Sequence, residues 1–205
     1  SRAANGLAQE ADVVLAVGSR LQDFTTGSRT VFANPGVTLL HLNVGRHDAG
    51  KHNSQPLVAD AKVGLQQLSA GLGEWKTSGA WITQGHDKVA EWNAYYESAT
   101  APTDKPDTET GRPTDAQVMG AVKRTGEASD IVVCAAGTLP ADLHKFWRTE
   151  QVNGYHLEYG FSCMGYEIAG GMGVKMAHPE REVIVMVGDG SYLMMNSELA
   201  SSVAL

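Results

Sequence analysis

The residues best suited to chemistry lie in one short turn, Gly188-Asp189-Gly190-Ser191. The apolar run before it, residues 183–187, is typical of a fully buried parallel strand. Gly190 and Ser191 can bring backbone N–H groups close to a phosphate at the start of a helix. Asp189 would repel that phosphate unless a cation lay between them, and Mg²⁺ binds carboxylate and phosphate oxygens together. The turn therefore predicts a metal-bridged phosphate site, and the alternative interpretation is a plain turn after a strand.

An amphipathic helix is predicted directly after this turn. Tyr192, Met195, Leu199 and Val203 follow each other at intervals of three or four residues, which places them on one helical face. A strand, a glycine turn and a helix in this order are typical of the places where open α/β sheets bind ligands.

Two more glycine turns come earlier in the chain, and each also follows a predicted strand. Residues 130–136 are an apolar run that ends at Gly137-Thr138-Leu139. Residues 155–158 predict a short strand, after which the chain reaches Ser162-Cys163-Met164-Gly165. Three strand-ending turns in one half of the chain indicate a single sheet with three ligand-facing loops.

Helix signals frame these strands. Thr114 and Gln117 have the spacing of a capping box, which predicts a helix start. Residues 166–177 predict a helix rich in glycine and alanine, which could pack close to a sheet or to another subunit.

The first part of the chain also alternates strands with a helix. Residues 11–18, 37–44 and 57–58 predict strands, and residues 60–72 predict a helix with Val63, Leu65 and Leu68 as its apolar contacts. Strands that alternate with helices indicate a parallel sheet.

These patterns predict an α/β protein of two parallel-sheet, three-layer units. Residues 1–72 would form part of one unit and residues 113–205 part of the other, with residues 73–112 as a helical and polar linker whose polar stretch is 101–112. The chain starts without Met and ends within a predicted helix, so we expect it to be a fragment of a longer polypeptide.

Composition excludes several classes of partner. The 205 residues carry a net charge of −7 without a long basic block, which argues against nucleic-acid binding. No apolar run reaches the roughly 18–20 residues of a membrane span. Cys134 and Cys163 are expected to be unpaired in a reducing cytoplasm. His41, His47 and His52 fit no metal-binding spacing and are expected to be surface or core residues.

The three turns, in this order and spacing, resemble the diphosphate-binding domain of thiamine-diphosphate enzymes of the acetohydroxyacid synthase and pyruvate decarboxylase type. The stretches ADVVLAVGSRLQDFTTG, VTLLHLNV and VADAKVGLQQL are similar to the central domain of the same family. Within the family, SCMGYEIAGGMGVKMA and GDGSYLMMNSEL most resemble a group that hydrolyses a trihydroxylated cyclohexane-1,2-dione in myo-inositol catabolism. Acetohydroxyacid synthases usually have Gly-Thr-Met-Gly where this chain has Ser162-Cys163-Met164-Gly165, which counts against a plain synthase.

The resemblance implies two cofactors, thiamine diphosphate and Mg²⁺. Asp189 is the implied metal ligand, and Met164 is the implied catalytic residue, because its bulk would press the aminopyrimidine of the cofactor against the thiazolium ring. The other implied cofactor contacts are Gly137, Thr138, Leu139, Ser162, Gly188, Gly190 and Ser191.

The resemblance also implies the reaction, the cleavage of a carbon–carbon bond next to a carbonyl, with hydrolytic opening of a cyclic diketone as the expected case. The full-length protein would be a cytoplasmic homodimer or homotetramer without nucleic-acid or membrane partners. The activating glutamate and the second metal ligand would lie outside the chain, so we expect the 205 residues alone to be inactive. Three alternatives stay open: an acetohydroxyacid synthase joining two 2-ketoacids with or without FAD, a non-catalytic phosphate- or nucleotide-binding module, and an interaction domain.

Overall fold

The computed structural model describes residues 1–103 and 111–205, which form two compact units, Ser1–Ala94 and Tyr95–Leu205. In the described residues, each unit contains a three-stranded parallel sheet flanked by helices. The predicted α/β class with two parallel sheets is therefore confirmed. The predicted linker at residues 101–112 falls largely outside the described residues, and the boundaries at residues 72 and 112 stay predictions.

The first unit is built on strands in the order β1-β2-β3, all parallel. Its elements, in chain order, are α1 (Arg2–Glu10), β1 (Val13–Val17), α2 (Asp23–Thr26), β2 (Thr38–Asn43), α3 (Arg46–Ala49), β3 (Gln55–Val58), α4 (Ala61–Leu72) and α5 (Gly79–Thr100), the last of which continues into the second unit. The three strands predicted from residues 11–18, 37–44 and 57–58 are thus confirmed, with β3 two residues longer at its start.

Two side-chain expectations in this unit have different outcomes. His41 is a core residue, as expected, since it is fully buried and its Nε2 lies 2.7 Å from the Ser19 carbonyl oxygen. Val63 and Leu65, expected to be apolar contacts of α4, are instead 47% and 42% exposed, which corrects that expectation. The reason is a close approach at Gly64, where a Cβ would lie 2.6 Å from the Leu42 side chain, so a different face of α4 meets the sheet.

The second unit has strands in the order β5-β4-β6, again all parallel. Its elements after α5 are α6 (Asp115–Thr125), β4 (Ile131–Cys134), α7 (Thr138–Phe146), β5 (Tyr155–Leu157), α8 (Tyr166–Ala177), β6 (Val183–Val185), α9 (Asp189–Met195) and α10 (Glu198–Ala204). The capping box of Thr114 and Gln117 is present at the start of α6 and confirms that prediction. The central strand β4 is buried along its whole length.

Glycine allows α8 to pack tightly on the sheet. A Cβ at Gly171 would overlap the Val185 side chain of β6, so the helix backbone lies directly over the strand. The predicted bounds of α8, residues 166–177, are those of the structure.

Two predictions near the end of the chain are corrected. The strand expected to be fully buried over residues 183–187 is β6, which is shorter and only half-buried, because in the described residues it pairs with β4 alone. The single helix expected after Ser191 is two helices, separated at Asn196 and Ser197. The Leu199 N–H binds the Asn196 carbonyl at 3.1 Å, a tighter turn than an α-helix forms.

The apolar face predicted for that helix is mostly exposed. The exposed fractions are 37% for Tyr192, 39% for Met195, 46% for Leu199 and 87% for Val203. Among all helices in the described parts of the chain, none is long and apolar enough to cross a membrane. Both cysteines are free, Cys134 buried and Cys163 exposed.

Candidate functional site

The three predicted turns lie at one edge of the second sheet. Because β4, β5 and β6 are parallel, the segments that follow them leave the sheet at their carboxyl ends, where open α/β sheets bind ligands. Gly137 caps α7 after β4, Gly165 caps α8 after β5, and Gly188 caps α9 after β6. The topology therefore brings together the loops that the sequence predicted to share a site.

Direct contacts join the second and third turns. The Gly165 N–H donates to the Ser191 hydroxyl at 2.7 Å. The Met164 methyl carbon lies 3.6 Å from the position of a Cβ on Gly190, and a Cβ on Gly165 would lie 2.6 Å from the Met195 side chain. Met164 itself is 43% exposed, so the predicted catalytic side chain lies beside the third turn and is open to solvent.

The backbone of the first and third turns is open to an approaching ligand. A Cβ placed on Gly137 or on Gly188 would have no heavy atom within 4 Å. Gly137 has a φ of 114°, a backbone conformation that residues with a Cβ rarely adopt. Thr138 is exposed and Leu139 is half-buried in the first turn of α7. These features suit close approach of a phosphate group to the backbone, and in that respect the chain fits a diphosphate.

Asp189 is exposed in the first turn of α9. Its Oδ1 accepts a hydrogen bond from the Gly190 N–H at 2.8 Å. An exposed carboxylate beside open glycines fits one ligand position of Mg²⁺, which takes oxygen ligands. No group of three or more His, Cys, Asp or Glu in the described residues could hold a metal ion, so the other ligands would come from the diphosphate, water or other parts of the protein.

Ser191 has a different environment from the one expected. Its side chain is 2% exposed, and its hydroxyl donates towards both carboxylate oxygens of Glu167 at 2.7 Å. Because the hydroxyl proton is used inside the protein, the backbone is the part of Ser191 that remains suited to a phosphate.

Glu167 was not singled out from the sequence. It is fully buried in the first turn of α8, and its Oε2 also accepts a hydrogen bond from the Gly165 N–H at 3.0 Å. The signal that could have found it is its spacing, since Glu167 lies four residues before Gly171, on the helix face that packs against the sheet. An acid at such a position is rare without hydrogen-bond partners.

A second acid that the sequence analysis missed, Glu158, lies at the start of the loop between β5 and α8. Its carboxylate accepts hydrogen bonds from the Phe161 N–H at 3.0 Å and the Cys163 N–H at 2.7 Å. These two backbone donors hold the pKa of Glu158 below its usual value. Between them, Ser162 has a φ of 58°, the left-handed region that favours glycine. The residue that stands where synthases usually have glycine thus keeps a glycine-like backbone.

Comparisons with known proteins show the family to which the chain is similar. Residues 1–68 match the central domain of thiamine pyrophosphate enzymes, and residues 135–205 match the C-terminal TPP-binding domain of the same enzymes, which together cover about two thirds of the chain. Curated relatives include the 3D-(3,5/4)-trihydroxycyclohexane-1,2-dione hydrolases of Clostridium perfringens (strain 13), Clostridium botulinum (strain Alaska E43) and Bacillus licheniformis. Each is 38% identical to this chain, and the alignment covers 98% of this chain's residues. The chain spans 34% of the length of these relatives.

Proposed function

The chain belongs to the thiamine pyrophosphate enzymes, and from that premise we propose that the full-length protein is a hydrolase dependent on thiamine diphosphate and Mg²⁺. It would cleave a carbon–carbon bond next to a carbonyl and so open the ring of a trihydroxylated cyclohexane-1,2-dione in inositol catabolism. The substrate class is taken from the names of relatives that are 38% identical to this chain. The observation that carries the proposal is the position of Asp189, an exposed carboxylate in the turn that contacts Met164.

Each predicted site residue has a defined task in this proposal. Asp189 would hold Mg²⁺, and the ion would supply positive charge to the diphosphate. Gly188 and Gly190 would admit the diphosphate to the backbone, since no atom lies within 4 Å of a Cβ position on Gly188 and Gly190 is exposed. The first turn of α7, Gly137-Thr138-Leu139, approaches the same group from the neighbouring strand.

The turn Ser162-Cys163-Met164-Gly165, called the Met164 loop below, would hold the organic part of the cofactor. Met164 is large, apolar and exposed beside Gly190, so it can support the cofactor in a bent shape. Ser162 precedes it in the same loop and contributes its backbone. Thiamine diphosphate supplies, when bound, the electron sink for carbon–carbon cleavage, which protein side chains lack.

The remaining parts of the site would come from outside the described residues. We propose that the full-length protein is a homodimer or homotetramer in the cytoplasm, and that the activating glutamate belongs to a partner subunit. On this proposal the 205 residues alone are inactive, since one metal ligand and no activating acid are present among the predicted site residues.

The test uses the full-length protein and tryptophan fluorescence. Thiamine diphosphate is titrated with and without Mg²⁺ against the wild type, Asp189→Ala and Asp115→Ala. The control is matched, because Asp115 is also an exposed aspartate in the first turn of a helix of the same unit. We expect Mg²⁺-dependent binding in the wild type and in Asp115→Ala, and a loss of at least about tenfold, or about 1.4 kcal/mol, in Asp189→Ala.

Two results would remove the proposal: binding that ignores Mg²⁺, or Asp189→Ala that binds like the wild type. The same preparation is then assayed for hydrolysis of the cyclic dione and for coupling of two 2-ketoacids. Coupling without dione hydrolysis would assign the synthase activity instead.

A further inference from the structure

A buried pair of side chains joins two of the three turns. The Ser191 hydroxyl lies 2.7 Å from both carboxylate oxygens of Glu167, and the Gly165 N–H donates to that hydroxyl at 2.7 Å and to Glu167 Oε2 at 3.0 Å. Glu167 is fully buried and Ser191 is 2% exposed. Three groups from two distant parts of the chain therefore form one closed hydrogen-bond cluster.

The chemistry of the cluster is unusual for a protein interior. A buried carboxylate is costly unless hydrogen bonds or a basic group stabilise it. In the part of the chain that the structure describes, no Lys, Arg or His forms an ion pair with Glu167. The hydroxyl of Ser191 and the N–H of Gly165 are thus the partners that make its burial tolerable, and both belong to ligand-facing turns.

The cluster also fixes the direction of Met164. Gly165 has a φ of 92° and is buried, and its N–H is held by both Ser191 and Glu167. Met164 precedes this glycine directly, so the two residues share the peptide group whose N–H is hydrogen-bonded. The orientation of that peptide group sets the direction in which the Met164 side chain leaves the backbone. Asp189 lies two residues before Ser191 in the first turn of α9, so the same cluster sets the position of the predicted metal ligand relative to Met164.

We propose that Glu167 and Ser191 are a positioning pair that holds the Met164 loop and the Asp189 turn in register for the cofactor. This inference rests on the proposed function, because register matters only if both turns bind one ligand. It assigns Ser191 a task inside the protein, with its hydroxyl turned away from the diphosphate, and it assigns Glu167 a role without contact to cofactor or substrate.

The test is a double-mutant cycle in the full-length protein with Glu167→Ala, Ser191→Ala and the double variant. Cofactor dissociation constants at saturating Mg²⁺, kcat and KM for the substrate, and melting temperature are measured for each. We expect each single variant to weaken cofactor binding by about tenfold. The double variant should bind no worse than the weaker single variant, because the second change removes a contact that is already lost.

Two further variants separate positioning from general destabilisation. Ile168→Val shortens the buried side chain next to Glu167 in α8 and should lower the melting temperature without changing cofactor affinity. Glu167→Gln keeps the shape and one acceptor oxygen, so it should fold even if Glu167→Ala does not, and should recover part of the affinity.

Three outcomes would overturn the pair. Wild-type affinity in both Ser191→Ala and Glu167→Gln would show that the cluster has no effect on the ligand. Additive losses in the cycle would show that Ser191 contacts the cofactor independently of Glu167. If Ile168→Val has the same melting temperature as Ser191→Ala or Glu167→Gln and loses as much cofactor affinity, the loss is an effect of stability and not of positioning. Failure of the wild type itself to bind thiamine diphosphate with Mg²⁺ would instead reject the proposed function.

Discussion

The Met164 methyl carbon lies 3.6 Å from where a Cβ on Gly190 would be, an ordinary van der Waals distance between two turns that follow different strands. Gly190 is therefore not a glycine for reasons of packing, since the space beside it would accept a methyl group. Its backbone is exposed next to Asp189. We therefore expect that the missing side chain lets a ligand reach the backbone at Gly190.

Gly190→Ala should accordingly separate stability from binding. The melting temperature should stay near the wild-type value, because the new methyl group meets Met164 at an ordinary contact distance. Affinity for thiamine diphosphate in the presence of Mg²⁺ should fall by at least about tenfold, because the methyl group covers the approach to the backbone. Gly71→Ala is the control, since Gly71 is exposed in α4 of the first unit with nothing within 4 Å of its Cβ position. Equal cofactor affinities for Gly190→Ala and Gly71→Ala would contradict this role.

Ser162 is predicted to be strained. An L-residue in the left-handed region costs roughly 1–2 kcal/mol, whereas glycine adopts it freely but loses more chain entropy on folding. Ser162→Gly should therefore stabilise the full-length protein by about 0.5 kcal/mol in urea unfolding, and Ser162→Val should destabilise it by more than about 1 kcal/mol. A destabilising Ser162→Gly would show that the serine side chain forms contacts that outweigh its backbone cost.

The local part of this fold was readable from the sequence because each element has its own signal. The α8 helix is bounded by a glycine turn and by His178-Pro179, and its predicted limits agree with the structure. The end of β6 was predicted two residues too late, because apolar residues continue through Met186 and Val187 after the pairing with β4 stops. The length of a strand depends on its partner, which one segment of sequence does not show.

The missed acids follow the same logic. Glu158 looks like an ordinary surface residue in a linear pattern, and Glu167 differs only by its spacing from Gly171. The roles of both acids depend on where backbone N–H groups and Ser191 lie in space. Ser191 was predicted as a cofactor contact, and in the structure its hydroxyl donates to Glu167, which leaves the backbone for that contact.

Gly171→Ala tests how α8 is seated on the sheet. The new methyl group would overlap the Val185 side chain, so the free energy of unfolding should fall by about 1–3 kcal/mol, as is usual for overpacked cores. Val185→Ala should also destabilise the protein by itself, because it empties part of the same contact. The double variant should lose less free energy of unfolding than the sum of the two single losses, since the shorter side chain at 185 makes room for the methyl group at 171. Strictly additive losses in urea unfolding would show that the two residues do not share this contact.

Glu158 should make stability depend on pH in the acid range. Its pKa is lowered first by the Phe161 N–H and then by the Cys163 N–H, so the native state favours the ionised carboxylate. A lowered pKa contributes stability that is fully present above the ordinary value of 4.5 and is lost as the pH falls through the lower native value. The wild type should therefore exceed Glu158→Gln in urea midpoint at pH 6 to 7, and the two midpoints should converge as the pH falls below about 4. Glu127→Gln, which removes another exposed acid of the second unit, measures the effect of the charge alone, since Glu127 forms no ion pair in the described residues. A difference between wild type and Glu158→Gln that persists unchanged at pH 3 would mean that the carboxylate charge does not hold the Ser162 loop.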